Sequence, residues 1–530
     1  MERLAGRIML LWGMRRAAIA IAAGAAGALA LPPFGIFGIL FLSFALLVWL
    51  MDGLSAHPEA GRLSRLRSAF LLGWLFGFGY FVAGLWWLGN ALLVEADEFA
   101  WALPLAVLGL PAFLALFYGV ATALASLLWS DGFARLAALA FGFGIAEWLR
   151  SFVATGFPWN AIGYGAMQTP LMMQSSAPIG IFGVTTLAVF VFSVPALFGT
   201  RRGMGAGLAL AGILLCAHFG YGAYRLAVAG EAGNGGETIV RFVQPVLDQS
   251  RKLKGSDRAE IFEEHLSLSD APPKTGTRRP DIIVWPETSV PFILTENKDA
   301  LVRIAEVLEE GQVLIAGAVR VEYPGSGSAP RYYNSVYVID DQGQILGASD
   351  KVHLTPFGEY VPFEEWLREW GVDSLVALPG GFTAAALRSL LPLPDGRTLY
   401  PLICYEIIFP REIADDVIST AAILNITNDA WFGDTPGPYQ HFQQARLRAV
   451  ENGRPLLRSA NSGISAVVDP LGRVSDGLGF NQKGFVDAPL SDASVPSWNE
   501  TARQTHFWLI VFSMFLIAAL ARGGFKLRAN

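Results

Sequence analysis

Repeated apolar runs, each about 20 residues long, dominate this 530-residue chain, and a run of that length is what a helix needs to cross the roughly 30 Å hydrocarbon layer of a bilayer. They lie near 14–31, 36–52, 69–94, 100–129, 134–153, 177–199 and 204–224, with an eighth near 506–521. Of the seven before residue 225 the first two are the shortest, and Pro32 and Pro33 punctuate between them, so they read as a hairpin of spans. With 53% hydrophobic and only 16% charged residues, the chain is too apolar for an ordinary soluble protein and too long for one domain. A helical polytopic membrane domain plus a soluble domain is the expectation.

Charge sets the orientation, because cytoplasmic loops carry the excess Lys and Arg. Arg3, Arg7, Arg15 and Arg16 precede the first run, Arg62, Arg65 and Arg67 sit between the second and third, and Arg201 and Arg202 between the sixth and seventh. Glu95, Asp97 and Glu98 follow the third run, while Arg522, Lys526 and Arg528 follow the last. Both termini are therefore expected in the cytoplasm. The chain divides into a membrane domain with seven spans (1–229), an outer domain (230–500), periplasmic in a two-membrane bacterium, and a final span with a cytoplasmic tail (501–530). The first run can also be read as a cleaved signal peptide, but losing one span would invert every loop and spoil the charge pattern. Arg150, at the outer end of the fifth run, is the one misfit. Ionisable groups there are costly, and Glu147 and Arg150 are expected to snorkel to the interface. Cys216 is expected to pack within the seventh span.

A formal net charge of −6, with no clustered Lys or Arg, argues against nucleic acid as a partner. The only two cysteines, Cys216 and Cys404, lie far apart in different kinds of segment, so a structural disulfide is not expected.

From Thr238 onward short β-rich runs alternate with helical stretches such as 297–310, which reads as an α/β domain with helices on the outer faces of a sheet. Asp340–Gly343 reads as a hairpin turn. Three groups in this domain carry chemistry. Cys404 ends the run Leu402–Ile403, Glu287 follows Ile282–Trp285 and Pro286, and Lys351 opens Lys351–Leu354. A thiol with its ordinary pKa near 8.5 is only a few per cent thiolate at neutral pH, so a cysteine nucleophile needs a base or a cation beside it. A carboxylate can take the proton, and an ammonium can steady first the thiolate and then a tetrahedral oxyanion. Alone, each residue has a plain structural explanation. Two of them follow strand-like runs, however, and strand C-termini are where α/β folds gather catalytic groups. Of the six histidines, His353 and His441 stand near these motifs, so a Cys–His pair is the weaker alternative.

These motifs resemble the Glu–Lys–Cys triad of the nitrilase, or carbon-nitrogen hydrolase, superfamily. Over nearly its whole length the chain resembles that superfamily's membrane-embedded apolipoprotein N-acyltransferase family. The matching stretches are Thr155–Trp159, Lys351–Pro362, Cys404–Glu406, Asn428–Gly433, Gln440–Phe442 and Arg454–Arg458. The resemblance implies a nitrilase-like αββα sandwich on the periplasmic side of the bacterial inner membrane, after seven helices and before an eighth. It implies ping-pong acyl transfer without metal or cofactor: Glu287 as base, Cys404 as nucleophile and thioester carrier, Lys351 steadying the oxyanion. Its donor is a phospholipid, and its acceptor is the α-amine of an S-diacylglyceryl cysteine on an apolipoprotein. Glu359, Tyr405 and Glu406 match further residues of the family site and are carried as supporting catalytic residues.

The chain departs from the family where a tryptophan usually follows the first strand of the domain; Leu253 occupies that place. Phe363, Trp366, Leu367 and Trp370 recur at helical spacing and suit either a core-facing helix or an arm resting on membrane lipid. The triad alone does not separate transfer from hydrolysis, so a membrane-tethered amidase or nitrilase is the rival enzyme. A transporter or scaffold is the rival of another class.

Overall fold

A computed structural model of the protein describes residues 1–530 except 56–60, 230–237, 254, 274–277, 326–328, 363–380, 491–494, 496–497 and 529–530. The stripe of Phe363, Trp366, Leu367 and Trp370 lies outside the described residues. The chain forms two compact units. One comprises Met1–Val228, Asp434–Gln443 and Ser497–Asn530; the other comprises Ala229–Gly433 and Gln444–Pro496.

In the first unit each apolar run lies in a helix: Gly13–Gly27, Ile39–Ser55, Arg62–Leu85, Leu110–Leu127, Ala134–Arg150, Ser176–Ser193, Met204–Ala229 and Glu500–Arg528. Five helical stretches among the described residues are long and apolar enough to cross a membrane, and six if Glu2–Met9 and Gly13–Ala30, bent by 120° to each other, count as one span. Ala134–Arg150 is 17 residues long and carries Arg135, Glu147 and Arg150. Length and composition alone thus support fewer spans than the eight expected. Small residues let these helices meet backbone to backbone, as apolar membrane packing requires. A Cβ on Gly24 would stand 1.9 Å from Phe76 O, and one on Gly142 would stand 2.1 Å from Ala121 O.

Glu147 and Arg150 do not snorkel. Both side chains are fully buried as an ion pair, with Arg150 Nε 2.9 Å from Glu147 Oε2. Tyr118 OH donates to Glu147 Oε1 at 2.7 Å, and Arg150 Nη1 donates to Phe157 O and, at 2.8 Å, to Trp159 O. The pair is stable inside because nearly every charged atom has a partner; the loop Thr155–Trp159 folds back to supply carbonyls that the helix lacks. Cys216 also differs from expectation. It is exposed on Met204–Ala229 rather than packed within the protein.

The second unit holds twelve strands among the described residues: β1 (Ile239–Gln244), β2 (Ile282–Val284), β3 (Val313–Glu322), β4 (Arg331–Asp340), β5 (Ile345–Asp350), β6 (Leu391–Pro392), β7 (Thr398–Ile403), β8 (Ala422–Thr427), β9 (Leu456–Ala460), β10 (Ser465–Val468), β11 (Val474–Leu478) and β12 (Gly484–Pro489). They make two six-stranded sheets, ordered β12-β1-β2-β3-β4-β5 and β11-β10-β9-β8-β7-β6. Side chains alternate between the two faces of a strand. Ile282 and Val284, Val313 and Ile315, and Val336 and Val338 therefore join Leu424, Ile426, Leu457 and Val467 of the second sheet in one core. The intervening Ile283, Leu314 and Tyr337 face the opposite way, onto Phe262, Leu266 and Ile304 from helices Arg258–Asp270 and Lys298–Val307. In the second sheet, helix Gly437–Asn452 carries the crossover from β8 to its parallel neighbour β9. The first sheet is closed by β1 and β12, antiparallel from Ile239↔Pro489 to Gln244↔Gly484. Across that pair Arg241 grips Asp487 at both carboxylate oxygens, at 2.7 and 2.8 Å, with both side chains buried.

Because a buried ion pair is costly to break from one side, Glu147→Ala, which strands the Arg150 guanidinium, should lower stability by about 3–5 kcal/mol. Thermal unfolding of the detergent-purified protein measures this; a loss well under 1 kcal/mol would mean that Arg150 finds water.

Candidate active site

The strand ends of the second unit bring the three sequence-predicted groups together. Glu287 follows β2, Lys351 follows β5, and Cys404 follows β7. Lys351 Nζ lies 2.8 Å from Glu359 Oε2 and 3.6 Å from Glu287 Oε1. Lys351, Glu287 and Glu359 are all buried. An amide holds the carboxylates apart and in place: Asn334 Nδ2 donates to Glu287 Oε1 at 2.7 Å and to Glu359 Oε1 at 2.8 Å. The remaining oxygens are also engaged. Asn428 N donates to Glu287 Oε2 at 3.0 Å, and Thr355 N donates to Glu359 Oε2 at 2.7 Å. The orientation of the Asn334 amide follows from this, since the reverse would point its oxygen at two carboxylates. Its Oδ1 is left buried with no hydrogen-bond partner.

Cys404 opens a short 3₁₀ helix, Cys404–Ile408, directly after β7 and has φ +51°. For a residue with a Cβ the left-handed region costs about 1–3 kcal/mol unless its surroundings enforce it. Here Glu406 does so. Its Oε2 accepts Ile403 N at 2.7 Å, while Oε1 accepts Val352 N at 2.9 Å, His353 N at 3.1 Å and Arg388 Nη2 at 2.6 Å. One carboxylate thus ties the turn that bears the sulfur to the segment that bears the ammonium. Tyr405, beside Cys404, packs its ring on Phe409 at 5.0 Å and near His353 at 5.8 Å.

Burial and the Glu287 carboxylate push the Cys404 thiol well above its ordinary pKa; Lys351 opposes them, Asp429 adds to the rise, and a Thr427 hydrogen bond opposes it. Burial works against the Lys351 ammonium, but Glu359, then Glu287 and Cys404, outweigh it and raise its pKa. The site thus favours the neutral thiol and the charged ammonium, and a nucleophilic role for the sulfur would require its proton to leave. His353 stacks on Phe409 with its Nδ1 2.6 Å from Glu412 Oε1, and His441 packs on Trp159 in the helical unit. The Cys–His alternative gains no support from either position.

Sequence reasoning missed Asn334, Arg388 and Thr427, and it gave Asp429 no role although that residue lies in the matching stretch Asn428–Gly433. One of these had left a signal: Asn334 shares a strand face with the core residues Val336 and Val338, whereas Thr427 shares with Asn425 the face of β8 opposite the core residues Ala422, Leu424 and Ile426. A polar residue in a core-facing row is worth suspicion. Arg388 lies outside any regular element and gave none. Lys252 was also missed. It reaches the carbonyls of Glu287 and Thr288, each at 3.3 Å, and burial, against the pull of Glu287, lowers its pKa to about 8. Leu253 is the last residue of helix Gln249–Leu253.

Comparison with known proteins agrees along the whole chain. Residues 23–194 match the family described as apolipoprotein N-acyltransferase N-terminal domain, and 240–500 match carbon-nitrogen hydrolase. A protein named apolipoprotein N-acyltransferase from Agrobacterium fabrum is 65% identical over 530 residues, covering 100% of both chains. One of the same name from Rhizobium rhizogenes is 63% identical over 534 residues, again covering 100% of both. Among solved structures, an amidase from Nesterenkonia sp. aligns with 50% of this chain and 94% of its own at 18% identity, with a TM-score of 0.33.

Glu287 raises the thiol pKa, so Glu287→Gln, which deletes that negative charge, should move the midpoint of Cys404 alkylation by iodoacetamide down by about one pH unit. Peptide mass spectrometry across a pH series reads this, and a midpoint that stays put or rises would mean that Glu287 does not act on the sulfur.

Proposed function

The chain belongs to the apolipoprotein N-acyltransferase family, and from that premise we propose that its Glu287, Lys351 and Cys404 carry an acyl chain from a phospholipid to an apolipoprotein through a thioester. The protein is an N-acyltransferase of the bacterial inner membrane with a nitrilase-like α/β domain, and it acts in lipoprotein maturation.

In the first half-reaction Glu287 takes the Cys404 proton as Sγ attacks an acyl ester carbon of the phospholipid. The Lys351 ammonium steadies the oxyanion. As the C–O bond breaks, Glu287 returns the proton to the departing lysophospholipid, and the acyl group remains on Sγ. In the second, the α-amine of the S-diacylglyceryl cysteine attacks the thioester carbon. Glu287 takes the amine proton, the C–N bond forms, the C–S bond breaks, and the thiolate regains a proton from Glu287. Glu359 fixes the ammonium. Tyr405 and Glu406 hold the turn that presents the sulfur, Tyr405 by its ring packing and Glu406 by its four hydrogen-bond donors.

The reading is supported above all by one observation: a buried ammonium held between two carboxylates, one of which acts on a thiol set in a left-handed turn. Placement at a membrane follows from the substrates, since each buried methylene of an acyl chain favours lipid by about 0.8 kcal/mol. We propose eight spans, both termini cytoplasmic, and division into 1–229, a periplasmic catalytic domain at 230–500, and 501–530. The charge asymmetry of the loops supports that arrangement.

Incubating the detergent-purified protein with phospholipid should add the mass of one acyl group to Cys404, and Cys404→Ser should abolish the adduct. Adding a diacylglyceryl peptide should then discharge the thioester to an N-acylated peptide. Release of free fatty acid in place of that product would make the protein a hydrolase.

A further inference from the structure

Close to Cys404, just past the C-terminal end of β8, stands a carboxylate that the transfer reaction does not use. Asp429 is fully buried, with Oδ2 2.8 Å from Arg458 Nη2, itself fully buried on β9. The site is shaped for it: a Cβ on Gly463 would stand 2.1 Å from Asp429 Oδ2. Between this carboxylate and the sulfur lies one hydroxyl. Thr427 Oγ1 is 3.3 Å from Cys404 Sγ and 3.0 Å from Asp429 Oδ1.

A hydroxyl has one proton and cannot donate to both neighbours. While Cys404 is a thiol there is no conflict. The S–H donates to Thr427 Oγ1, and the Thr427 O–H donates to Asp429 Oδ1, a chain in which every atom has its partner. Once the sulfur loses its proton it only accepts. The hydroxyl must then turn about its Cβ–Oγ1 bond to donate to sulfur, giving up its bond to Asp429 Oδ1, while Asp429 Oδ2 keeps its ion pair with Arg458.

We propose that Thr427 is a further catalytic residue: its hydroxyl is a two-position donor, turned to Asp429 while Cys404 is a thiol or thioester and to Sγ whenever the sulfur carries negative charge. This rests on Cys404 being the nucleophile. The sulfur's proton still travels to Glu287, and the threonine proton never leaves its oxygen, so no charge is created or lost in the swing. The hydroxyl is used twice in each turnover, as the thiol is deprotonated for attack and as the C–S bond of the thioester breaks. The swing back to Asp429 withdraws the donor, which favours reprotonation and keeps the idle enzyme from holding a reactive thiolate. Charged groups acting on the sulfur are Glu287, Lys351 and Asp429; the first two lie 3.6 Å from each other, and the Thr427 hydroxyl bridges the sulfur to the third.

The test uses the full-length protein in detergent with Cys216→Ser, so that Cys404 is the only thiol. The pH midpoint for iodoacetamide alkylation of Cys404 should rise by about one unit in Thr427→Val, which keeps the shape and removes the donor. Thr427→Ser should restore it. Thioester formation from phospholipid at neutral pH should fall about tenfold in the valine variant, the same unit expressed as thiolate population. Should the valine variant fail to fold, Thr427→Ala carries the same reading with a smaller side chain. A midpoint in Thr427→Val or Thr427→Ala that is unmoved, or moved to lower pH, overturns the proposal. Alkylation needs no acyl donor, so a parent protein that is alkylated at Cys404 but never acylated would sink the transfer reading while the Thr427 comparison still stands.

Discussion

Everything at the site depends on one buried cation. Lys351 sits between Glu359 and Glu287 with almost no access to water, and a charge so placed survives only when opposite charge and hydrogen bonds replace its hydration. The consequences spread outward. One ammonium cannot serve all four oxygens of two carboxylates, and the structure adds Asn334, Asn428 N and Thr355 N, so that every one of those oxygens accepts a hydrogen bond. Those donors come from β4 and from the loops after β8 and β5. Both sheets must therefore end at the same place, and the core between them fixes where that is.

The same constraint separates what could be read in the sequence from what could not. Glu287 and Cys404 were legible because each follows an apolar strand-like run, a local signal, and Lys351 because it opens a motif, Lys351–Leu354, that matches the family. Their positions in the fold agree with that reading; their roles remain proposals. The groups that hold them were not legible, because their partners lie far along the chain. Arg388 meets Glu406, Asn334 meets Glu287, and Arg458 meets Asp429, and although its strand row marks Asn334 as unusual, no periodicity announces the partner of any of them. The positive φ of Cys404 is equally silent, since it is imposed by Glu406 across the turn.

In the helical unit the apolar runs located the helices well, because hydrophobic length is a property of the segment itself. What failed was the treatment of charge. Glu147 and Arg150 were read as interfacial groups reaching for water, yet Tyr118 and the carbonyls of Phe157 and Trp159 supply inside the unit what water would supply outside. The grouping of Asp434–Gln443 with the helices was invisible for a related reason. Gln440, which Trp87 and Trp159 both address through their indole N–H groups at 3.2 and 3.0 Å, is an unremarkable glutamine until those partners are known.

The pairing of β1 with β12 has a consequence for how the protein is made. Ile239 opposes Pro489, so the catalytic unit leaves its sheet beside the strand where it began, and the first sheet lacks its edge until nearly the whole unit has been synthesised. A nascent chain emerging from the ribosome at roughly 5–20 residues per second must hold β1 unpaired on that side for many seconds. Arg241, whose Nη1 also donates to the carbonyls of Ser269 and Ala271, lacks its carboxylate partner Asp487 over the same interval. An order of assembly is thus written into the topology: the second sheet can complete itself first, and the unit locks only when its C-terminal strand comes home.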